Sequence, residues 1–277
     1  MKFEGSQLKV LSIGDNSLDD YAELGRRFPG GQALNVAVYV NRIGGFRADY
    51  MGVLGSDDAG DFLFDQIRRE GLDTSGIVRL PGLTAVTTIL IRDGERVFAK
   101  YVEGVQKDAR LPDAFAARLK NYDLIHYTIC GTMSFGKERI AEIRKMGRVS
   151  ISCDFSNESG RVTDELMPFL NYSFFSGRRL KESGVDPEEK VRELKAKTPG
   201  LVIMTLGKYG SVVYDGEKFY RGEAERVEVV DTLGAGDAYI AAFLCARMRG
   251  EAIEDSIKAG HHAATRICTR LGAWGGD

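Results

Sequence analysis

The chemistry of this chain is concentrated in the run Val230-Asp231-Thr232-Leu233-Gly234-Ala235-Gly236-Asp237, followed at once by the apolar stretch Ala238 to Leu244. The pattern predicts a short strand, Arg226 to Val230, that stops at the glycines and turns into an apolar helix. The first turn of such a helix offers backbone N–H groups with no partner inside the helix. Gly234 and Gly236 carry no side chain to keep an anion away, and the helix N-terminus has roughly half a positive charge. With Ala235 they form a candidate anion hole, and Asp237 is expected to sit in the same turn, held ionised. An anion cradle holding an ionised base is what phosphoryl transfer to an alcohol requires.

Other nucleotide-binding patterns fail. G-x-x-x-x-G-K-[ST] is absent, and Tyr239 stands where a dinucleotide fingerprint would need its third glycine. Two further groups can serve an acceptor alcohol. Gly30-Gly31 precedes a helical segment bearing Asn35, whose amide can both donate to and accept from a sugar hydroxyl. A plain helix start explains the same residues equally well. Asp15 follows the first predicted strand, with Asp19 just beyond. Ligands of open α/β sheets bind at the carboxyl ends of strands, where a carboxylate can take two neighbouring hydroxyls. A turn or cap is the alternative for Asp15.

These residues need a scaffold, and the hydrophobic pattern describes one. Strands are expected at Leu8–Gly14, Ala48–Leu54, Leu124–Tyr127, Ser150–Asp154, Tyr172–Phe175 and Leu201–Leu206. Helical periods lie between them at Gln32–Ile43, Ala59–Glu70, Lys137–Met146, Thr163–Phe169 and Glu188–Lys197. The alternation predicts a doubly wound, mainly parallel α/β sheet flanked by helices. Thr84–Ile91 and Arg96–Val102 break it as a hairpin turning at Asp93-Gly94, which would project as a flap. Strands at Ser211–Asp215 and Lys218–Tyr220 and a last helix near Ile253–Leu271 complete the chain. One domain, 1–277, with lid segments near 16–30 and 84–103, is the simplest partition.

Composition narrows the function classes. The 277 residues are 43% hydrophobic and 28% charged, with a net charge of -2, which gives no attraction to nucleic acid or an anionic membrane. Cys130, Cys153, Cys245 and Cys268 are scattered, with no zinc or disulfide spacing, which favours a reducing compartment. No segment approaches the roughly 20 apolar residues that span a bilayer, and no signal peptide is visible at the start. A cytoplasmic location is expected. His261 and His262 are adjacent on a helix and point about 100° apart, a poor chelating pair.

The segment Asp231 to Asp237, Gly30-Gly31 with Asn35 and Ala37, Asp15, and Thr205-Leu206-Gly207-Lys208-Tyr209-Gly210 together resemble the ribokinase/PfkB carbohydrate kinase family over nearly the whole chain. The resemblance implies a ribokinase-like fold with a β-flap lid, and transfer of the γ-phosphate of ATP with Mg²⁺ to a sugar. Asp237 would be the base, and the backbone of Gly234 to Asp237 the anion hole. Asp15, Gly31 and Asn35 would bind sugar. Ser176, Thr205, Gly207, Gly210 and His262 would line the nucleotide pocket. A homodimer through the lid and a monovalent cation such as K⁺ are compatible with it. Many members carry Asn-x-x-Glu after a central strand, whereas Ser176 and Arg179 stand here. The metal ligand is thus left open, with Glu182 and Asp154 nearby in sequence or reach.

Within the family, Ile13–Asn16, Arg96–Phe98, Tyr101–Val105 and Gly272–Trp274 resemble the branch acting on fructoselysine, a ketose-amine formed by glycation of lysine. That substrate carries a secondary ammonium, so a carboxylate is expected near it. Glu103 is the first candidate and Asp19 the second, with Arg96 and Tyr101 also at the sugar. A solvent-facing strand residue is an equal reading of Glu103. Other members of the family act on 2-keto-3-deoxygluconate, fructose or ribose, and a non-catalytic sugar-binding regulator on the same fold is the alternative from another class. Trp274 reads equally as a pocket wall or a packed aromatic.

Overall fold

The computed structural model describes residues 7–92, 95–108, 110, 113–129, 137–157 and 160–275. Its strands are β1 (Leu8–Ile13), β2 (Ser17–Tyr21), β3 (Arg26–Gly30), β4 (Phe46–Gly55), β5 (Ile77–Leu80), β6 (Val86–Arg92) and β7 (Glu95–Val102). There follow β8 (Leu124–Thr128), β9 (Ser150–Asp154), β10 (Tyr172–Ser176), β11 (Leu201–Thr205), β12 (Ser211–Tyr214) and β13 (Phe219–Gly222). The helices are α1 (Gln32–Arg42), α2 (Asp58–Arg69), α3 (Lys137–Lys145) and α4 (Arg161–Leu166). The later ones are α5 (Arg178–Glu182), α6 (Pro187–Lys195), α7 (Ala235–Met248) and α8 (Ile253–Cys268).

Nine strands form one sheet in the order β13-β12-β11-β10-β9-β8-β1-β4-β5. β1 lies between β4 and β8, parallel to both, with Leu8 opposite Phe46 and Val10 opposite Leu124. The pairing stays parallel through β11, and β12 and β13 then run antiparallel to their neighbours. The connection from Leu206 to Gly210 is too short for a crossover, so β12 must fold back beside β11. Successive side chains point to opposite faces of a strand. Val10, Leu124, Phe174 and Ile203 therefore join α1, α7 and α8 in one core. Leu11, Ile125, Phe175 and Met204 join α3 and α6 in the other. Helix α7 is buried from Asp237 to Ala246, which explains why it is apolar all round.

A second sheet has the order β3-β2-β6-β7. The expected hairpin is β6 and β7, antiparallel with Val86 opposite Val102; Asp93 and Gly94 lie outside the described residues. β2 pairs in parallel with β6 and antiparallel with β3. Its sequence, SLDDY, does not read as a strand, yet Ser17, Leu18, Asp19 and Tyr21 are all buried.

Three local expectations differ. Arg226–Val230 is not a strand. The sheet ends at β13, so β-branched propensity there has no edge to pair with. Val229 and Val230 are more than half exposed, and the amide of Val230 donates instead to Cys268 O, 2.8 Å away, at the end of α8. Thr163–Phe169 is split at Pro168 into α4 and a short 3₁₀ turn. The last helix stops at Cys268, leaving 269–275 as irregular chain. Cys153, Cys245 and Cys268 are free thiols, and Cys130 lies outside the described residues. Among the described residues no helix is long and apolar enough to cross a membrane.

The entry to α1 depends on Gly31, whose φ is +101°. A Cβ there would overlap the backbone of Asn16, so the glycine is required twice over. Gly31→Ala is expected to lower unfolding stability by about 2 kcal/mol or more, measured by urea denaturation.

Candidate active site

Asp237 occupies the first turn of α7 and is 7% exposed. The turn begins at Gly234, in the left-handed region with φ +76°. A Cβ at that position would lie 2.6 Å from Tyr39 Oη and 2.7 Å from the Ala273 side chain. Gly236 is different: a Cβ there would meet nothing within 4 Å, so it faces open space. Ala235 N donates weakly to Thr232 O at 3.3 Å. The N–H groups of Gly236 and Asp237 remain the first-turn donors for an anion.

The carboxylate of Asp237 is held by one side chain, the amide of Asn35, which donates from Nδ2 to Oδ2 at 2.7 Å. Asn35 is itself buried in α1, and its Oδ1 accepts the indole N–H of Trp274 at 2.7 Å. Asn35 is thus committed to the candidate base on one end and to Trp274 on the other, so less of its amide is free for sugar than expected. Trp274 is packed, 1% exposed, rather than a pocket wall.

Burial pushes the Asp237 carboxyl well above its ordinary range, and Asp154, Asp15 and Asp19 push it the same way. The Asn35 hydrogen bond opposes them. The expectation of an easily ionised aspartate is therefore corrected. Desolvation and three like charges outweigh the positive end of a helix dipole.

Asp15 follows β1 and serves chiefly as a cap. Its carboxylate accepts Gln32 N at 2.8 Å, Ala33 N at 3.2 Å and the Thr128 hydroxyl at 2.8 Å. A carboxylate has about four lone-pair sites, so little remains for two sugar hydroxyls. The paired glycines likewise make room for protein. Gly31 lies on Asn16, and Gly30 lies on the buried carboxylate of Asp19, which accepts the Ser17 hydroxyl at 2.5 Å. Glu103 is exposed immediately after β7, and Tyr101 is half exposed on β7 itself. Arg96 belongs to the same strand, with its side chain outside the described ones.

On the other flank, Ser176 and Thr205 end β10 and β11 in register with each other. Gly207, φ +59°, and Gly210, φ +91°, bound the short turn that follows. His262 is largely exposed on α8 and sits 3.5 Å from Glu225. Its neighbour His261 is buried and bonds Ser211 at 2.9 Å, a packing role that removes it from any metal reading.

Asp154, at the end of β9, was only a marginal candidate in sequence. It is buried, and burial followed by the Asp15 charge raises its pKa to about 7. Its oxygens accept Ser156 N at 2.8 Å and Gln32 Nε2 at 3.2 Å. Among the described residues no three His, Cys, Asp or Glu side chains are grouped to hold a metal ion. Glu182 is tied to Arg178 at 2.9 Å. This donor set fits a Mg²⁺ that arrives on nucleotide phosphates and water, with Asp154 as a carboxylate whose raised pKa a cation would relieve. Gln32, Thr128 and Ser156 were missed because single polar residues carry no periodic signal. Ser156, the one non-glycine residue at positive φ among those described, gave no hint of its conformation.

Comparison with known proteins gives the family of the chain. The family model of the pfkB family carbohydrate kinases matches residues 9–275. The chain is 35% identical over 266 residues to the fructoselysine 6-kinase of Escherichia coli K12, covering 96% of this chain and 99% of that protein. It is 29% identical to the fructosamine kinase FrlD of Bacillus subtilis, covering 97% and 93%. Among solved structures, an Arabidopsis thaliana ribokinase complexed with ribose and ATP superposes with a TM-score of 0.84 at 20% identity, over 97% and 94% of the two chains.

The raised pKa of Asp237 sets a pH dependence of stability. Between the ordinary carboxylate range and the raised native value, the native state binds more protons than the unfolded state, so stability falls as pH rises. Asp237→Asn removes that loss. It is expected to match the native sequence near pH 4 and to exceed it at pH 8 by on the order of 1 kcal/mol or more, since a tenfold change in proton affinity is about 1.4 kcal/mol. Chemical denaturation at the two pH values checks this.

Proposed function

Because the chain belongs to the pfkB family of carbohydrate kinases, and is thus a phosphotransferase acting on a sugar hydroxyl, we propose that its acceptor is fructoselysine, phosphorylated on the primary 6-hydroxyl. The observation that carries this choice is the charge of the crevice. Asp15, Asp19 and Asp154 all raise the proton affinity of Asp237, and Asp15 does the same to Asp154. A ketose-amine brings a positive charge to these carboxylates on its own secondary ammonium. An anionic sugar acid such as 2-keto-3-deoxygluconate would be repelled by the same field. The similarity to a fructoselysine 6-kinase supports the reading independently.

In this reading the sugar lies between the end of β1 and the four-stranded sheet, which acts as a lid and excludes water that would compete as acceptor. ATP lies along the turn after Thr205, its triphosphate directed at the first turn of α7. Mg²⁺, when bound, neutralises phosphate charge and aligns the γ-phosphate. Asn35 holds Asp237 by Oδ2, which leaves Oδ1 to accept the proton of the 6-hydroxyl. The sugar oxygen forms its bond to the γ-phosphorus as the bond to the β-phosphate oxygen breaks and ADP leaves. The N–H groups of Gly236 and Asp237 stabilise the charge on the transferring group. Glu103 at the foot of the lid and Asp19 beneath it are proposed to read the ammonium. Val97, Phe98 and Tyr101, exposed on edge strand β7, support pairing of two copies through the lid.

The test is ATP consumption across fructoselysine, fructose, ribose and 2-keto-3-deoxygluconate, with the product identified by NMR. Fructoselysine should give the highest kcat/KM and a 6-phosphate. A higher value for plain fructose would reassign the acceptor, and sugar binding without turnover would favour a regulator. Asp237→Asn is expected to lose roughly 10²-fold or more in kcat with sugar binding retained by calorimetry. Glu103→Gln and Asp19→Asn should each reduce the preference for the ammonium-bearing ketose over fructose by about tenfold, the worth of one charged contact.

A further inference from the structure

The chain contains one tryptophan. It lies in the irregular segment after α8, yet its side chain is among the most buried in the molecule. That segment is held at several points. Tyr39 Oη donates to Ala273 O at 2.5 Å, and Gly272 N donates to Asp231 Oδ2 at 3.0 Å. The Phe28 ring of β3 leaves no space for a side chain on Gly272. The indole is therefore presented to Asn35 by a fixed backbone.

The polarity of the contacts matters more than the packing. A tryptophan nitrogen can only donate, and an ionised carboxylate can only accept. The amide between them must therefore turn Oδ1 to Trp274 and Nδ2 to Asp237, as observed. A protonated Asp237 keeps one oxygen that accepts from Nδ2 only weakly, and its hydroxyl could donate to Asn35 only if the amide turned the other way. That turn would set NH₂ against the indole N–H, two donors facing each other in a buried site. We propose that Trp274 is a positioning residue for phosphoryl transfer: by fixing which end of the Asn35 amide faces Asp237, its N–H holds Nδ2 toward the carboxyl and so favours the ionised, hydroxyl-accepting form of the base. The proposal rests on the reading of Asp237 as the base, and it assigns the chain's C-terminal segment to the catalytic apparatus.

The charged and titratable groups facing Asp237 are Asp15 after β1, Asp19 on β2 and Asp154 on β9. Tyr39 on α1 also feels its charge, with burial holding the phenol protonated. None of them is altered by a change confined to the indole nitrogen. Because there is one tryptophan, residue-specific replacement with benzothienylalanine changes this position alone, exchanging N–H for sulfur with nearly the same shape. Trp274→Phe is the genetic counterpart.

Both proteins are compared with the native chain in two measurements. The first is the pH profile of kcat and KM for fructoselysine. The second is titration of the Asp237 carboxyl by ¹³C NMR, assigned with Asp237→Asn, which needs no turnover. The expected result is a fall in kcat of about tenfold, with KM changed less than twofold and the acid limb and the NMR midpoint both moved to higher pH. An unchanged midpoint and kcat in the sulfur-substituted protein would overturn the proposal while leaving the kinase reading intact. A moved midpoint in a chain that turns over no sugar would support the positioning and remove the kinase reading. Should Trp274→Phe fail to fold, the sulfur isostere decides, and equal losses in kcat and KM without a pH shift would assign the tryptophan to packing alone.

Discussion

A carboxylate that must accept a proton has to be ionised, and ionisation is hardest in a dry crevice that already holds three other carboxylates. Asp237, the proposed base, is in that position, with Asp15, Asp19 and Asp154 all raising its proton affinity. The surrounding structure supplies small opposing terms. The N-terminus of α7 contributes a dipole, the Asn35 amide contributes one hydrogen bond, and Trp274 fixes the direction of that amide. None of these equals the field of the neighbouring carboxylates. In the proposed reaction further positive charge comes with the reactants, from the metal on the nucleotide and from the substrate ammonium. Such a site is poor at ionising its base alone and becomes competent once it is filled, which links protonation state to occupancy.

The same constraint explains why elements distant in sequence converge here. β1 ends at Asp15, β9 at Asp154, and both run parallel in the main sheet, so their carboxyl ends open on one edge. α1 delivers Asn35 from beside β1, and α7 delivers Asp237 from behind it, the two packed in one core. The second sheet reaches the phosphoryl-transfer loop through Tyr21, whose hydroxyl donates to Asp231. Asp231 also accepts the amides of Leu233 at 2.9 Å and Gly272 at 3.0 Å. One carboxylate therefore joins the lid sheet, the helix entry and the C-terminal segment.

Much of this was legible beforehand, and for identifiable reasons. Period-two and period-3.6 patterns report burial, so β1, β4, β8–β11, α1 and α2 were readable within a residue or two. The Asp231 to Asp237 run was readable because glycines and a carboxylate at a helix entry have few other uses. What stayed hidden depends on contacts across the chain. β2 carries Asp19 and Asp20 and becomes a strand only because β3 and β6 flank it. Arg226–Val230 has strand propensity but no partner edge. Asn35 looked like a sugar ligand because its binding capacity was visible, whereas its commitment to Asp237 and Trp274, 202 and 239 residues away, was not.

The departure from the family's Asn-x-x-Glu pattern fits this electrostatic picture. By the resemblance Ser176 and Arg179 stand where that motif is expected, and Glu182 is held in an ion pair with Arg178. Asp154 stays buried beside Asp15, with a pKa near 7. An enzyme for a neutral sugar gains nothing from clustered carboxylates around its base, since their field only hinders its ionisation. An enzyme for a cationic acceptor recovers the cost on binding, because the ammonium lowers the proton affinity of Asp237 at the moment the hydroxyl arrives. Under the proposed function, the clustered carboxylates would then serve both to select a cationic acceptor and to let that acceptor ionise the base.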